Sequence, residues 1–215
     1  MQDFKEYQIY NGVTPKAITS STNASPTVLT VTSHGFSTGD QVLVFGHLTN
    51  TNENGLYTVV RLSANTFSLK NVDTGADING NGVGGATGLV VSAPKIAVSQ
   101  SYDTAVIDFS TSGTATTTLK VVGSQGKTIG TGNDQHGDAP VFGATISATN
   151  PYSYLQLINL TDNTSLDGTT GVVVSGVDIN QAYQINVDKL KYITVIPSSW
   201  SAGAIYAKLT LYRLG

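Results

Sequence analysis

Residues 28–69 read VLTVTSHGFSTGDQVLVFGHLTNTNENGLYTVVRLSANTFSL. Four short apolar runs recur there at close, even spacing: Val28–Val31, Gln41–Phe45, Leu56–Arg61 and Thr66–Leu69. They are rich in Val, Leu, Phe and Thr, the residues that suit a pleated, half-buried surface. Between them stand His34-Gly35-Phe36-Ser37-Thr38-Gly39-Asp40, Thr49–Gly55 and Ser63-Ala64-Asn65. Asp40 after Gly39 and Asn54 before Gly55 supply turn chemistry, because glycine accepts positive φ without a Cβ clash. Short strands joined by tight turns predict a compact antiparallel unit.

Working outward, residues 16–92 complete this unit. Asp73–Gly88 is a long Gly/Asn loop with too few apolar residues to pack by itself. Leu89-Val90-Val91 closes the unit. Residues 1–15 form an N-terminal arm in which Phe4, Tyr7, Ile9 and Tyr10 alternate with polar residues. It is expected to add as an edge strand to the second domain or to a neighbouring subunit. Pro15, which has no N–H to donate, ends it. Ser92-Ala93-Pro94-Lys95 is the expected boundary. Beyond it, residues 96–215 show further runs: Ile96–Val98, Ala105–Phe109, Thr116–Val122, Val141–Ile146, Tyr154–Leu160, Gly171–Ser175, Ala182–Val187, Tyr192–Ile196 and Ala204–Tyr212. Few segments keep a 3.6-residue period, so helix should be scarce. The expectation is an all-β chain: a small β-barrel over 16–92, then an antiparallel β-sandwich over 96–215.

Composition narrows the function. Of 215 residues, 40 % are hydrophobic, enough for a real core, but only 12 % are charged. That is about half the usual share for a soluble domain. A surface of hydroxyls and amides suits extracellular and virion β-proteins. Net charge is −3 and no basic run exists, so phosphate neutralisation cannot drive nucleic-acid binding. With no cysteine there are no disulfides and no thiolate metal sites. The start, MQDFKEYQIYNG, lacks the basic and apolar regions of a signal peptide. No stretch approaches 18 apolar residues. The expectation is a protein made in a cytoplasm that stays there or leaves inside a particle released by lysis, with no membrane partner.

Residues that could carry chemistry are few. His34 and His47 lie within residues 16–92 and His136 within residues 96–215. No acid stands at a spacing that completes a zinc set, so neither metal nor cofactor is expected. A hydrogen-bonded turn is the better reading for His34. Asn133–Asp138 offers oxygen ligands for calcium or a sugar, and it is equally an ordinary loop tip. No G-x-S-x-G elbow or phosphate loop occurs. None of the 14 acids has an apolar flank that would raise its pKa. No catalytic residue is expected, and the chain does not read as an enzyme. Tyrosine outnumbers phenylalanine, 10 to 6. Tyr152, Tyr154, Tyr206 and Tyr212 could form a rim that binds sugar or protein, or could simply fill sheet faces. Trp200, in a Ser-rich turn, is the candidate exposed anchor. With Phe4, Tyr7, Ile9 and Tyr10 it makes up the expected interaction set.

Two stretches also carry a family resemblance. HGFSTGDQV, NGLYTVV and TFSL resemble small β-barrel modules of phage head and tail proteins, named after a catalytic-cysteine half-domain (FCCH) of ubiquitin-activating enzymes. Without cysteine that name implies no thioester chemistry. YQINVDKLKYITVIPSSWSAGAIYAKLTLYRLG is similar to the closing hairpin of phage β-sandwich proteins. Pro197 and the missing basic residues on 192–196 depart from that pattern. The resemblance implies a virion structural protein of the head-decoration or cement type. Its partner would be the major capsid protein or another virion protein, and its form a symmetric homo-oligomer, a trimer first. A tail, baseplate or fibre-attachment component is the near alternative, and a host-glycan-binding accessory the third.

Overall fold

The computed structural model describes residues 4–72, 74–82, 85–94, 96–98, 102–113, 116–124, 153–175, 180–188, 190 and 192–213. Val141–Ile146, His136, Tyr152 and the Asn133–Asp138 patch lie outside them. Among the described residues the chain is all-β, and the one helical element is a single 3-10 turn, Thr51–Glu53. None of it is a helix long and apolar enough to cross a membrane.

The chain forms two compact units. Strand β1, Phe4–Val13, belongs to the first, which comprises Met1–Thr14 and Lys95–Gly215. The second unit, Pro15–Pro94, is inserted between β1 and the rest.

The inserted unit holds seven strands: β2 (Lys16–Ala17), β3 (Ser20–Ser21), β4 (Val28–Thr30), β5 (Gln41–Phe45), β6 (Gly55–Arg61), β7 (Thr66–Asn71) and β8 (Leu89–Ser92). They make one antiparallel sheet in the order β2-β8-β5-β6-β7-β4-β3. All four apolar runs of residues 28–69 are strands in it. Their inward side chains, among them Leu29, Val42, Val44, Val59, Phe67 and Leu69, form one buried cluster. Each such side chain contributes about 1.5–3 kcal/mol when fully buried. The entry strand β2 pairs with the exit strand β8, Lys16 opposite Val90 and Ala17 opposite Leu89.

The first unit continues with β9 (Ile96–Ala97), β10 (Thr104–Thr111), β11 (Thr116–Ser124), β12 (Ser153–Tyr154), β13 (Leu157–Asn159), β14 (Ser165–Leu166), β15 (Val172–Ser175), β16 (Asn180–Asn186), β17 (Tyr192–Trp200) and β18 (Ile205–Tyr212). One sheet runs β1-β18-β10-β16-β13-β14, the other β12-β11-β17-β9 with β15 also on β11. Strand β10 alternates strictly: Ala105, Ile107, Phe109 and Thr111 are buried, and the residues between them are partly exposed. The arm therefore docks on its own chain, as the outer strand of the six-stranded sheet, through the pairing of β1 with β18. Fully buried Tyr10 spans the unit, its hydroxyl donating to the Val195 carbonyl of β17 at 2.7 Å.

Two local expectations are corrected. The closing hairpin is not one: β17 and β18 lie in different sheets, so the turn after Trp200 crosses from one sheet to the other. Both strands carry long apolar rows (Ile193, Val195 and Ile196; Ile205, Ala207, Leu209 and Leu211), and both rows are buried. Separate sheets give each row its own inner face. The run Tyr154–Leu160 also splits, β12 pairing with β11 and β13 with β16. Between them Leu155 is buried and donates its N–H to Val121 O at 2.9 Å. Gly168 packs so closely there that a Cβ on it would collide with the Leu155 carbonyl oxygen. Pro197 sits beside a β-bulge between Thr118 and Leu119 of β11. Strand β9 pairs only with Tyr192 and Ile193, so at Pro197 one side of β17 has no strand neighbour among the described residues. A residue without N–H requires that placement.

Candidate functional site

The most chemically loaded cluster is buried in the inserted unit. Ser21 on β3, Thr27 just before β4, His47 and Asn50 in the β5–β6 connection, and Glu53 in the 3-10 turn are all 5 % exposed or less. The turn brings Glu53 under Asn50, whose side-chain amide donates to Glu53 Oε1 at 2.7 Å and to Ser21 Oγ at 3.0 Å. Thr27 Oγ1 donates to the same carboxylate oxygen. His47 Nε2 lies 3.3 Å from Glu53 Oε2 and 3.3 Å from Ser21 Oγ. Burial pushes the Glu53 carboxyl pKa up, while the Thr27, Ser21 and Asn50 donors pull it partway back. Burial pushes the His47 pKa down.

Ser, His and Glu in contact are the residue types of a nucleophilic triad. In a triad, hydroxyl and carboxylate engage opposite ring nitrogens, so that one orients the ring and the other surrenders a proton to it. Here both approach Nε2, and Nδ1 accepts the Asn50 backbone N–H at 3.1 Å. A nitrogen that accepts an N–H bears no proton, so the neutral ring keeps its proton on Nε2. That nitrogen cannot receive the Ser21 proton, and no substrate reaches a group so enclosed. The cluster is a structural latch. Asn54 extends it by bonding both ways with the His47 backbone at 2.8 Å, and Asn50 Oδ1 extends it by accepting the Asn81 N–H at 2.8 Å.

This latch corrects the expectation that no acid has a raised pKa. The local sequence NTNENG reads as a solvated turn, and Glu53 is buried by residues 26 and 32 positions away in sequence. No local signal marks it. His34, by contrast, is the turn histidine expected: Nδ1 accepts the Phe36 N–H at 3.0 Å, and Nε2 bonds the Ser63 carbonyl at 3.0 Å. Its ring stacks on Phe36 and meets the Phe67 edge. Asp162 and Asp167 are turn caps. Asp162 accepts from the Thr164 hydroxyl and N–H, and Asp167 from the Thr169 N–H and hydroxyl; these bonds lower both pKa values. Among the described residues no three His, Cys, Asp or Glu side chains converge as a metal set.

The expected interaction residues are dispersed. Phe4 is 60 % exposed at the start of β1 and Tyr7 is half-buried on the same strand, whereas Ile9 and Tyr10 face the core. Trp200 ends β17, half-buried, and its ring N–H donates to the Gly203 carbonyl at 3.0 Å. It closes the crossing turn.

A second constellation, of which the sequence singled out only Tyr206, lies on the outer face of the six-stranded sheet. Cross-strand pairing lines up Asn11, Tyr206, Ser110 and Asn180 on β1, β18, β10 and β16. The neighbouring row sets Gln8 opposite Lys208 and Lys208 opposite Asp108. The rows line a concavity of about 490 Å³. Two β-bulges in β1, between Gln8 and Tyr10 and between Asn11 and Val13, shape its rim. Gly12, at φ +68°, lies so close beneath Tyr206 that a Cβ would stand 3.1 Å from its hydroxyl.

No family profile and no curated protein matches the chain. Among solved structures it is similar to the SPBc2 prophage-derived protein YomS, with 12 % identity and a TM-score of 0.35 over 55 % of this chain and 78 % of that one. It is also similar to the PBSX exported protein XepA, with 11 % identity and a TM-score of 0.31 over 99 % of this chain and 84 % of that one. Likeness at this level carries no argument about function.

Proposed function

We propose that the chain is a bacteriophage virion structural protein, a small barrel module inserted into a β-sandwich, that acts on the head as a decoration or cement protein. The observation that carries this reading is the run HGFSTGDQV with NGLYTVV and TFSL, in the wording of phage barrel modules. Two features support it. The one triad-like cluster among the described residues is sealed and wrongly wired for catalysis. Charge is sparse, so attachment rests on buried area, and stable interfaces bury roughly 1,000 Å² or more in total. Such a protein would bridge neighbouring shell subunits, as a trimer at a symmetry axis, and resist the outward pressure of packed DNA. A tail, baseplate or fibre-attachment position is the alternative within the same class.

The test is heat-triggered genome release from phage particles with and without the protein, at low and at molar salt. The expected outcome is earlier release from stripped particles and binding that survives molar salt, since screening weakens only charge-based contacts. Equal release temperatures would remove the cement role.

A further inference from the structure

We propose that the concave outer face of the six-stranded sheet binds a neutral saccharide, with Tyr206 as the stacking platform and Asn11, Asn180, Ser110 and Asp108 as its hydrogen-bonding groups. This stands independently of the cement reading, since a glycan site serves a head or a tail protein alike.

The ligand class follows from chemistry. A sugar hydroxyl both donates and accepts, so its best partners are amides, hydroxyls and carboxylates placed side by side. The first row presents an amide, a phenol, a hydroxyl and a second amide on four consecutive strands. Directly opposed residues stand about 5 Å apart, a step close to the length of one pyranose ring. A half-buried tyrosine within the row adds an apolar ring face for the sugar's C–H surface and a polar tip.

Charge decides against anionic ligands. Among the described residues the single cation of the face, Lys208, already lies 3.4 Å from Glu6 and has Asp108 directly opposite. No surplus positive charge is left for a phosphate, sulfate or carboxylate, each of which calls for a charge-assisted donor. The volume of about 490 Å³ falls within the roughly 300–1,000 Å³ range of small-ligand sites.

The edge strand supplies the last argument. Bulges re-aim side chains and bend the strand that carries them. Both bulges of β1 adjoin residues of this face: Asn11, and Gln8, whose side-chain amide donates to the Tyr10 and Ala207 carbonyls and so holds the first bulge. Gly12 lets the backbone pass beneath the Tyr206 ring, which sets the platform's height.

The experiment is saturation-transfer NMR on the full chain with maltotriose, cellotriose, chitotriose and lactose as neutral probes and sialyllactose as the anionic comparator. At least one neutral probe should receive saturation and shift the side-chain amide signals of Asn11 and Asn180. Tyr206→Ala should weaken binding about 10-fold, the scale of one stacking contact. Asn180→Ala, at an exposed strand start, should also weaken it with the fold intact, and Tyr206→Phe should retain most of it. Silence from every neutral probe, preference for sialyllactose, or binding indifferent to Asn180→Ala would each overturn the proposal.

Discussion

Glu53 shows how a single residue's chemistry depends on its surroundings. Its folded pKa is raised, so its contribution to stability is full below the unfolded value near 4.5 and is lost as pH rises through the folded value. His47 works the other way. Its folded pKa is lowered, so its contribution is present above the unfolded value near 6.5 and is lost as pH falls. On acidification from pH 7 the two contributions oppose each other. Glu53→Gln keeps the acceptor for Thr27 and Asn50 but removes the titrating group. The variant should therefore lose more stability than the wild type between pH 7 and about 4.5, read by thermal unfolding across that range. Parallel curves would mean that the carboxyl is not raised.

At the scale of elements, β1 changes what a truncation can reveal. Deleting residues 1–12 removes Ile9 and the fully buried Tyr10 and strips β18 of one of its two neighbours. Loss of a buried aromatic costs about 3–5 kcal/mol, so the truncated chain should lose cooperative unfolding of the first unit. A binding defect in it would say nothing about docking. Phe4→Ala tests docking instead: Phe4 is exposed, so stability should stay within about 0.5 kcal/mol of wild type. If the outer edge contacts a neighbour, particle binding should fall. Urea unfolding and particle co-sedimentation measure the two effects separately. Unchanged binding would take Phe4 out of the interface.

At the scale of the whole molecule, the insertion makes a prediction of its own. Chain entry and exit of the inserted unit are paired strands, β2 on β8, and its core cluster is internal. Ends that lie close together and a private core are what an independently folding domain needs. Residues 15–94 expressed alone should show dispersed amide NMR signals and one cooperative transition. Residues 95–215 alone, lacking β1 and Tyr10, should not. A collapsed 15–94 fragment would show that the unit depends on the rest of the chain.

What the sequence by itself determined is the all-β character and the four strands of 28–69. It also determined the turn role of His34. Alternation and turn residues are short-range signals, and neighbouring residues are enough to produce them. Only the tertiary structure decided that β17 and β18 part into different sheets, because that choice depends on which inner face each apolar row finds. It alone buried Glu53 against Ser21, Thr27 and His47, and set Asn11, Tyr206, Ser110 and Asn180 in one row. Those residues come from segments far apart in sequence, and strand register, fixed by long-range pairing, brings them together.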